Sequence, residues 1–325
     1  MEALSKALPR DVFLRALAAL AAVSMARPAA AADLIIDGKG DWLFPAWESL
    51  TDAGTAGIAS ATKTIAAANG IFKAAGIVLL VEVVPMKARF YPDRLPDGTA
   101  MTPAVGARHG AILASLAAAG VPTFDVNAVL QTVTQQVFFR TDYHWTEWSA
   151  ETVAQACAKQ LQSMVTLPPS ATPLPPLSAF ATVQHAGDLE ELLPADRQKS
   201  IGTEPISTRV IDATRVQLLD PAKAEVHVVG NSLSMPYLGF PEMLAETLRE
   251  PVGVTAKFGN AGPWETMVQY LESPEFAARH PRAIVWQFVE GLFMHGPDAS
   301  GFWDVTSLMS DQTFLARVAK AVPPP

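Results

Sequence analysis

The 325-residue chain is 50% hydrophobic and 17% charged, which supplies a large buried core and excludes disorder as its general state. Its 24 basic and 32 acidic side chains leave a net charge of −8 and a pI near 5.3, so nucleic acid is excluded as a general partner, and no basic stretch makes a local exception. The single cysteine, Cys157, rules out an internal disulfide and a Cys-rich zinc site and reads as a small buried apolar side chain.

The first residues have the pattern of an export signal. Lys6 and Arg10 precede a largely apolar run from Val12 to Ala26, and Ala29-Ala30-Ala31-Ala32 provides small residues for cleavage before Asp33. The run falls short of the ~20 residues that span a bilayer. The expectation is a cleaved signal over 1–32 and a periplasmic mature chain, with an uncleaved inner-membrane anchor as the alternative. Leu34 to Gly38 then reads as a short strand and turn, and the Ala-rich span from Gly54 to Ala75 as a helix. Ile77 to Pro85 is an almost unbroken β-branched run, as expected of a central strand in a parallel sheet covered on both faces. A helix from about Pro103 to Ala119 leads to a short strand at Pro122 to Val126, and Thr146 is placed to cap a helix over Glu147 to Met164.

Five prolines between Leu167 and Leu177 make an extended connection. Beyond it come a strand at Val226 to Val229, a helix at about Phe240 to Arg249, a strand at Gly253 to Phe258, a helix at Trp264 to Leu271 and a strand at Ala283 to Val289. Alternating strands and helices on both sides of the prolines predict one α/β domain over 33–325, with a doubly wound, mainly parallel sheet.

Two segments carry candidate chemistry. Asp142 stands two residues before His144, and in an extended segment alternate side chains share a face, so the carboxylate can hold the imidazole in one tautomer. The strand Val226-His227-Val228-Val229 enters Gly230-Asn231-Ser232-Leu233-Ser234, a strand-to-turn passage that can display an activated serine outside the carboxyl end of a sheet. Gly259 and Asn260, after the next strand, can offer backbone N–H groups or an amide to an oxyanion. A metal site on Asp142 and His144 is the competing reading, but no His cluster, His-Glu-x-x-His helix or Asp-rich loop accompanies the pair. Trp145 and Trp148 can form a sugar-stacking platform or belong to the core.

Gly40-Asp41-Trp42-Leu43-Phe44, Val84-Pro85-Met86-Lys87, Thr141-Asp142-Tyr143-His144-Trp145-Thr146, Gly187-Asp188-Leu189, Val229-Gly230-Asn231-Ser232-Leu233-Ser234 and Ala283-Ile284-Val285-Trp286 together resemble the AlgJ/AlgX family of alginate O-acetylation proteins. The resemblance implies an SGNH-hydrolase-like α/β/α sandwich in which the Asp-His pair precedes the serine. It implies Ser232 as nucleophile, His144 as general base and Asp142 as its orienting carboxylate, with the N–H of Ser232, Gly259 and Asn260 as oxyanion donors and Trp145 and Lys87 as substrate contacts. It implies no cofactor, a polysaccharide acceptor, and a membrane-bound O-acyltransferase that delivers the acetyl group. Glu290-Gly291 stands where many relatives have Glu-Arg, so a basic contact is expected to be missing there. The acidic pI does not favour a strongly anionic polymer such as alginate over a neutral one such as cellulose. The functions in view are a polysaccharide O-acetyltransferase, an acetylesterase using the same triad, and a non-catalytic polysaccharide-binding subunit.

Overall fold

The computed structural model describes residues 34–168, 174, 177, 179–209, 224–257 and 259–324. The expected signal over 1–32, much of the proline connection and Phe258 lie outside the described residues. Two short strands, β1 (Ile35–Asp37) and β2 (Leu43–Pro45), pair antiparallel ahead of helix α1 (Thr55–Ala74). Next come β3 (Val78–Val84), α2 (Pro103–Ala118), α3 (Val126–Leu130) and α4 (Glu147–Met164). An antiparallel pair, β4 (Phe180–His185) and β5 (Glu204–Arg209), flanks α5 (Ala195–Ile201). The chain then alternates through β6 (Val226–Gly230), α6 (Phe240–Leu248), β7 (Val252–Ala256), α7 (Gly262–Leu271), α8 (Pro274–Ala278), β8 (Ala283–Val289) and α9 (Asp311–Ala321).

The central sheet is parallel throughout, in the order β3-β8-β6-β7. Every residue of β6 and β8 is buried, which explains why those strands are apolar runs rather than alternating ones. One face, with Leu79, Val81, Ile284 and Trp286, packs on α1, α2, α7 and α9; the other, with Leu80, Val84, Val228 and Val285, packs on α3, α4 and α6. This is the three-layer α/β/α sandwich that the sequence pattern predicts. The carboxyl ends of β3, β8, β6 and β7 lie along one edge, where open parallel sheets hold their ligands.

Some elements differ from expectation. The strand expected at Pro122 to Val126 reduces to one parallel bridge between Thr123 and Val81. It stops because Asp125 accepts a hydrogen bond from the Ala128 N–H at 2.9 Å and starts α3 instead. Thr146 precedes α4 as expected, but its hydroxyl donates to the Gln136 carbonyl at 2.6 Å and does not cap the helix. After β8, Glu290 is not left without a basic partner. Arg89 binds it through two nitrogens at 2.5 and 2.6 Å, and Arg108 reaches it at 3.2 Å. The arginines come from before and within α2, not from the position after Glu290.

Candidate active site

The segment from Val137 to Thr146 closes on itself. The Phe139 N–H donates to the His144 carbonyl at 3.1 Å and the Thr146 N–H to the Val137 carbonyl at 2.9 Å, so residues 141–144 form a tight bend. Asp142 and His144 therefore meet through a turn and not, as the spacing suggested, along an extended strand. Asp142 Oδ1 lies 2.6 Å from His144 Nδ1 and also accepts the His144 backbone N–H at 2.8 Å. Asp142 Oδ2 accepts the Asp188 N–H at 3.1 Å. Both side chains are buried, and His144 Nε2 has no hydrogen-bond partner among the described residues.

Four groups hold this bend from outside. The Glu204 carboxylate, at the start of β5, accepts from the N–H groups of Arg140 and Thr141 at 3.1 and 2.6 Å and from the Thr141 hydroxyl at 2.5 Å. The Tyr91 hydroxyl accepts from Val137 and Phe138 at 2.8 and 3.2 Å. Lys87, three residues past β3, donates to the carbonyls of Arg140 and Asp142 at 2.8 and 3.0 Å. Asp188 Oδ1 accepts the Tyr143 N–H at 2.6 Å. Gly187 makes the last contact sterically possible, because a Cβ there would collide with the Thr141 carbonyl and hydroxyl.

Burial disfavours charge on every member of this cluster. Against that burial, the imidazole and the N–H donors of His144 and Asp188 hold Asp142 well below the usual carboxylate range. His144 resists burial in the same way and is pushed up to about 9, first by Asp142 and then by Asp188. Asp188 is raised to about 7 by burial and by the neighbouring Asp142 charge. Burial brings Lys87 down to about 7 against the pull of Asp142 and Glu204.

Ser232 opens a short turn, Ser232–Ser234, immediately after β6, and is half-buried. Asn231 Oδ1 accepts the Leu233 N–H at 2.9 Å, and the Ser234 hydroxyl donates to Gln287 Oε1 at 2.7 Å, which ties the turn to β8. Gly230 is required there, since a Cβ would strike the Ser234 hydroxyl. The serine turn and the Asp-His bend touch directly. The Trp145 indole N–H, next to His144, donates to the carbonyl of Leu233, next to Ser232, at 3.1 Å. No hydrogen bond joins Ser232 to His144 itself.

The remaining expected residues divide. Gly259 lines a cavity at the carboxyl edge of the sheet with Gly230, Asn231, Gly262, Gln287 and Trp303, whereas Asn260 is exposed and its carbonyl takes the Asp304 N–H at 2.8 Å. Trp145 is fully buried and stacked on Phe240, so it belongs to the core; Trp148 is 40% exposed beside Phe180. Lys87 is buried beneath the bend with its ammonium engaged, which makes it a support of Asp142. Asp142, His144 and Asp188 bring possible metal-ligand atoms within 4.8 Å of one another, but an ion would first have to displace the 2.6 Å bond between Asp142 and His144. No role for Asp188 or Glu204 follows from the sequence: Asp188 lies within the short Gly187-Asp188-Leu189 motif, and Glu204 carries no local signal.

The model of the SGNH hydrolase-like domain of the acetyltransferase AlgX matches residues 35–290. The chain belongs to this family. The matched AlgX-type region contains Asp142, His144, Asp188 and Ser232. The probable alginate O-acetylase AlgJ of Pseudomonas putida is 30% identical over 285 residues, 82% of this chain and 72% of that protein. Its Pseudomonas fluorescens counterpart is 32% identical over 231 residues, 67% and 57% of the two chains. The solved O-acetyltransferase domain of Pseudomonas putida AlgJ is similar with a TM-score of 0.70 at 26% identity, over 88% of this chain and 99% of that domain. Pseudomonas aeruginosa AlgX shares the fold at 18% identity, with a TM-score of 0.57 over 87% of this chain and 67% of that one.

Proposed function

We propose that this chain is a periplasmic O-acetyltransferase that carries an acetyl group through Ser232 to a hydroxyl of an exopolysaccharide, with His144 as general base and Asp142 as its orienting carboxylate. The observation that carries the reading is the imidazole itself. Its Nδ1 is bonded to a buried carboxylate while Nε2 is buried without a partner among the described residues, and a buried polar atom left open in this way calls for an explanation that proton transfer supplies. The Trp145–Leu233 bond, which links the two loops next to the proposed base and nucleophile, supports the pairing.

In the neutral form of the ring, which keeps Nδ1–H on Asp142, Nε2 is free to take the Ser232 hydroxyl proton as Oγ attacks the acetyl carbonyl. The tetrahedral oxyanion would meet the Ser232 N–H, with Gly259 on the wall of the adjoining cavity as a further donor. Collapse expels the donor's leaving group, which takes the proton from Nε2 and leaves acetyl-Ser232. A sugar hydroxyl then gives its proton to Nε2 and attacks the ester, and Ser232 recovers its proton as the acetylated sugar departs. The relatives named alginate O-acetylases support a polysaccharide acceptor, and the family resemblance implies a membrane-bound O-acyltransferase as the source of acetyl. Among the described residues no helix is long and apolar enough to cross a membrane.

The test incubates the purified chain and its Ser232→Ala variant with an activated acetyl ester and with neutral and uronate oligosaccharides, read by mass spectrometry. Acetylated sugar formed by the wild type alone is the expected result and identifies the acceptor class. Ser232-dependent free acetate without acetylated sugar would make the chain an esterase, and equal behaviour of the two proteins would remove Ser232 from the reaction.

A further inference from the structure

Asp142 is not the only carboxylate on the imidazole. Asp188 Oδ2 lies 3.6 Å from the same His144 Nδ1 that Asp142 approaches at 2.6 Å. Asp188 also holds two residues of the bend: its backbone N–H donates to Asp142 Oδ2 at 3.1 Å, and its Oδ1 accepts the Tyr143 N–H at 2.6 Å. A residue that served only to close the bend would not need its second oxygen beside the ring. We propose that Asp188 is a positioning residue for the base, a second carboxyl that fixes the Asp142–His144 pair and sets the pH at which His144 can accept a proton. The proposal rests on the reading of His144 as the base, and extends it to a residue outside the triad.

The physical argument is one of shared charge. A single imidazolium faces two carboxyl groups in a site that burial makes hostile to all three charges. Asp142 takes the short bond and stays ionised, while Asp188, raised to about 7, gains or loses its proton in the range where the enzyme would work. When Asp188 is ionised, a second negative charge favours the protonated ring; when it is neutral, that support is withdrawn. The other ionisable groups that face the cluster are accounted for. The ammonium of Lys87 is held by the carbonyls of Arg140 and Asp142, with Glu204 also drawing on it; Glu191 senses Asp142; Tyr143 lies against Glu48; and burial holds the Tyr237 phenol neutral. Among the described residues, Asp188 is the group that brings a second carboxyl oxygen to Nδ1, at 3.6 Å.

The experiment reads the ring directly, so that it does not depend on turnover. The full chain is titrated by NMR with labelled histidine, the His144 signal being assigned with His144→Gln, and the wild type is compared with Asp188→Asn. Asn keeps the size and the Oδ1 acceptor for Tyr143, and Asp188→Ser serves if Asn does not fold. The expected result is a fall of about one pH unit or more in the His144 midpoint, the scale on which a removed adjacent charge acts. Leu189→Ala, which loosens the packing of the same loop without changing charge or pressing on the Thr141 bend, should leave the midpoint in place. An unmoved midpoint in Asp188→Asn, or an equal shift in Leu189→Ala, overturns the proposal and leaves Asp188 a structural residue. The pH profile of kcat/KM for an acetyl ester should follow the same displacement. A chain in which the midpoint moves but Ser232→Ala changes nothing would retain this inference and lose the acyl-transfer reading.

Discussion

Replacing Asp142 with Asn tests the geometry of the candidate base most severely, because the carboxylate uses both oxygens and the amide cannot. Oδ1 serves the His144 ring and its backbone N–H; Oδ2 serves the Asp188 N–H. If the Asn oxygen takes the first place, its NH2 group faces the Asp188 N–H, and one buried donor is left unpaired at ~1–3 kcal/mol. If it takes the second place, NH2 faces Nδ1, which must then accept; the ring proton moves to Nε2 and the base is lost. In both orientations the larger of the two carboxylate charges that lift His144 to about 9 from its ordinary 6.5 disappears, leaving only Asp188 to stabilise the imidazolium against burial. Together these terms predict a fall in kcat/KM of about 10²–10⁴. The assay is hydrolysis of para-nitrophenyl acetate from pH 6 to 10, with thermal unfolding measured alongside. A variant within threefold of wild type and with the same Tm would refute the argument, since neither the tautomer nor the charge would then matter.

Three further outcomes follow from buried charges elsewhere. Glu290→Ala leaves Arg108, fully buried, without its carboxylate, so stability should drop by about 3–5 kcal/mol and Tm by roughly 10 °C; an unchanged calorimetric trace would contradict the assignment. His227, stacked on Tyr270 and bonded to Thr255, is held neutral by burial with its pKa lowered to about 3. Between about 3 and 6.5 the unfolded chain therefore binds a proton that the folded one refuses, stability falls as pH drops through that window, and His227→Gln should flatten the acid limb of Tm against pH. Lys87→Met removes two donors from the Asp142 bend and should lower ester turnover. Because burial depresses this lysine to about 7, the wild type gains stability as pH rises from about 7 toward 10.5, and the variant should lose that gain while an untouched profile would argue against a buried ammonium.

The central sheet was legible because β3, β6 and β8 are apolar runs each broken by a single polar residue, Glu82, His227 and Gln287, a signal that survives without any knowledge of neighbours. Asp142, His144 and Ser232 were legible for a similar reason: each belongs to a short local pattern. The antiparallel pair β4–β5 was not, because its residues alternate weakly and β5 contains Pro205. α9 was passed over although its Phe314 and Val318 are fully buried, because two apolar anchors in a polar helix are a thin periodicity. Glu204 and Asp188 reach the bend from 63 and 46 residues away, and nothing in their own surroundings announces a partner at that distance. Lys87 was expected at a ligand and Trp145 either there or in the core; tertiary packing turns both inward.

The strand order has a consequence for how the candidate site is assembled. The bend with Asp142 hangs beside the end of β3 through Lys87, and Ser232 follows β6, yet within the sheet those two strands meet only through β8, which is synthesised after both. β3 and β8 pair across some two hundred residues, a closure that is slow and entropically costly to make. Until Ala283–Val289 enters, the sheet cannot set the end of β3 and the end of β6 in their final register, so the edge that carries the Asp142–His144 bend and Ser232 is completed last. The Ser234–Gln287 bond is the point at which that strand registers the turn of Ser232.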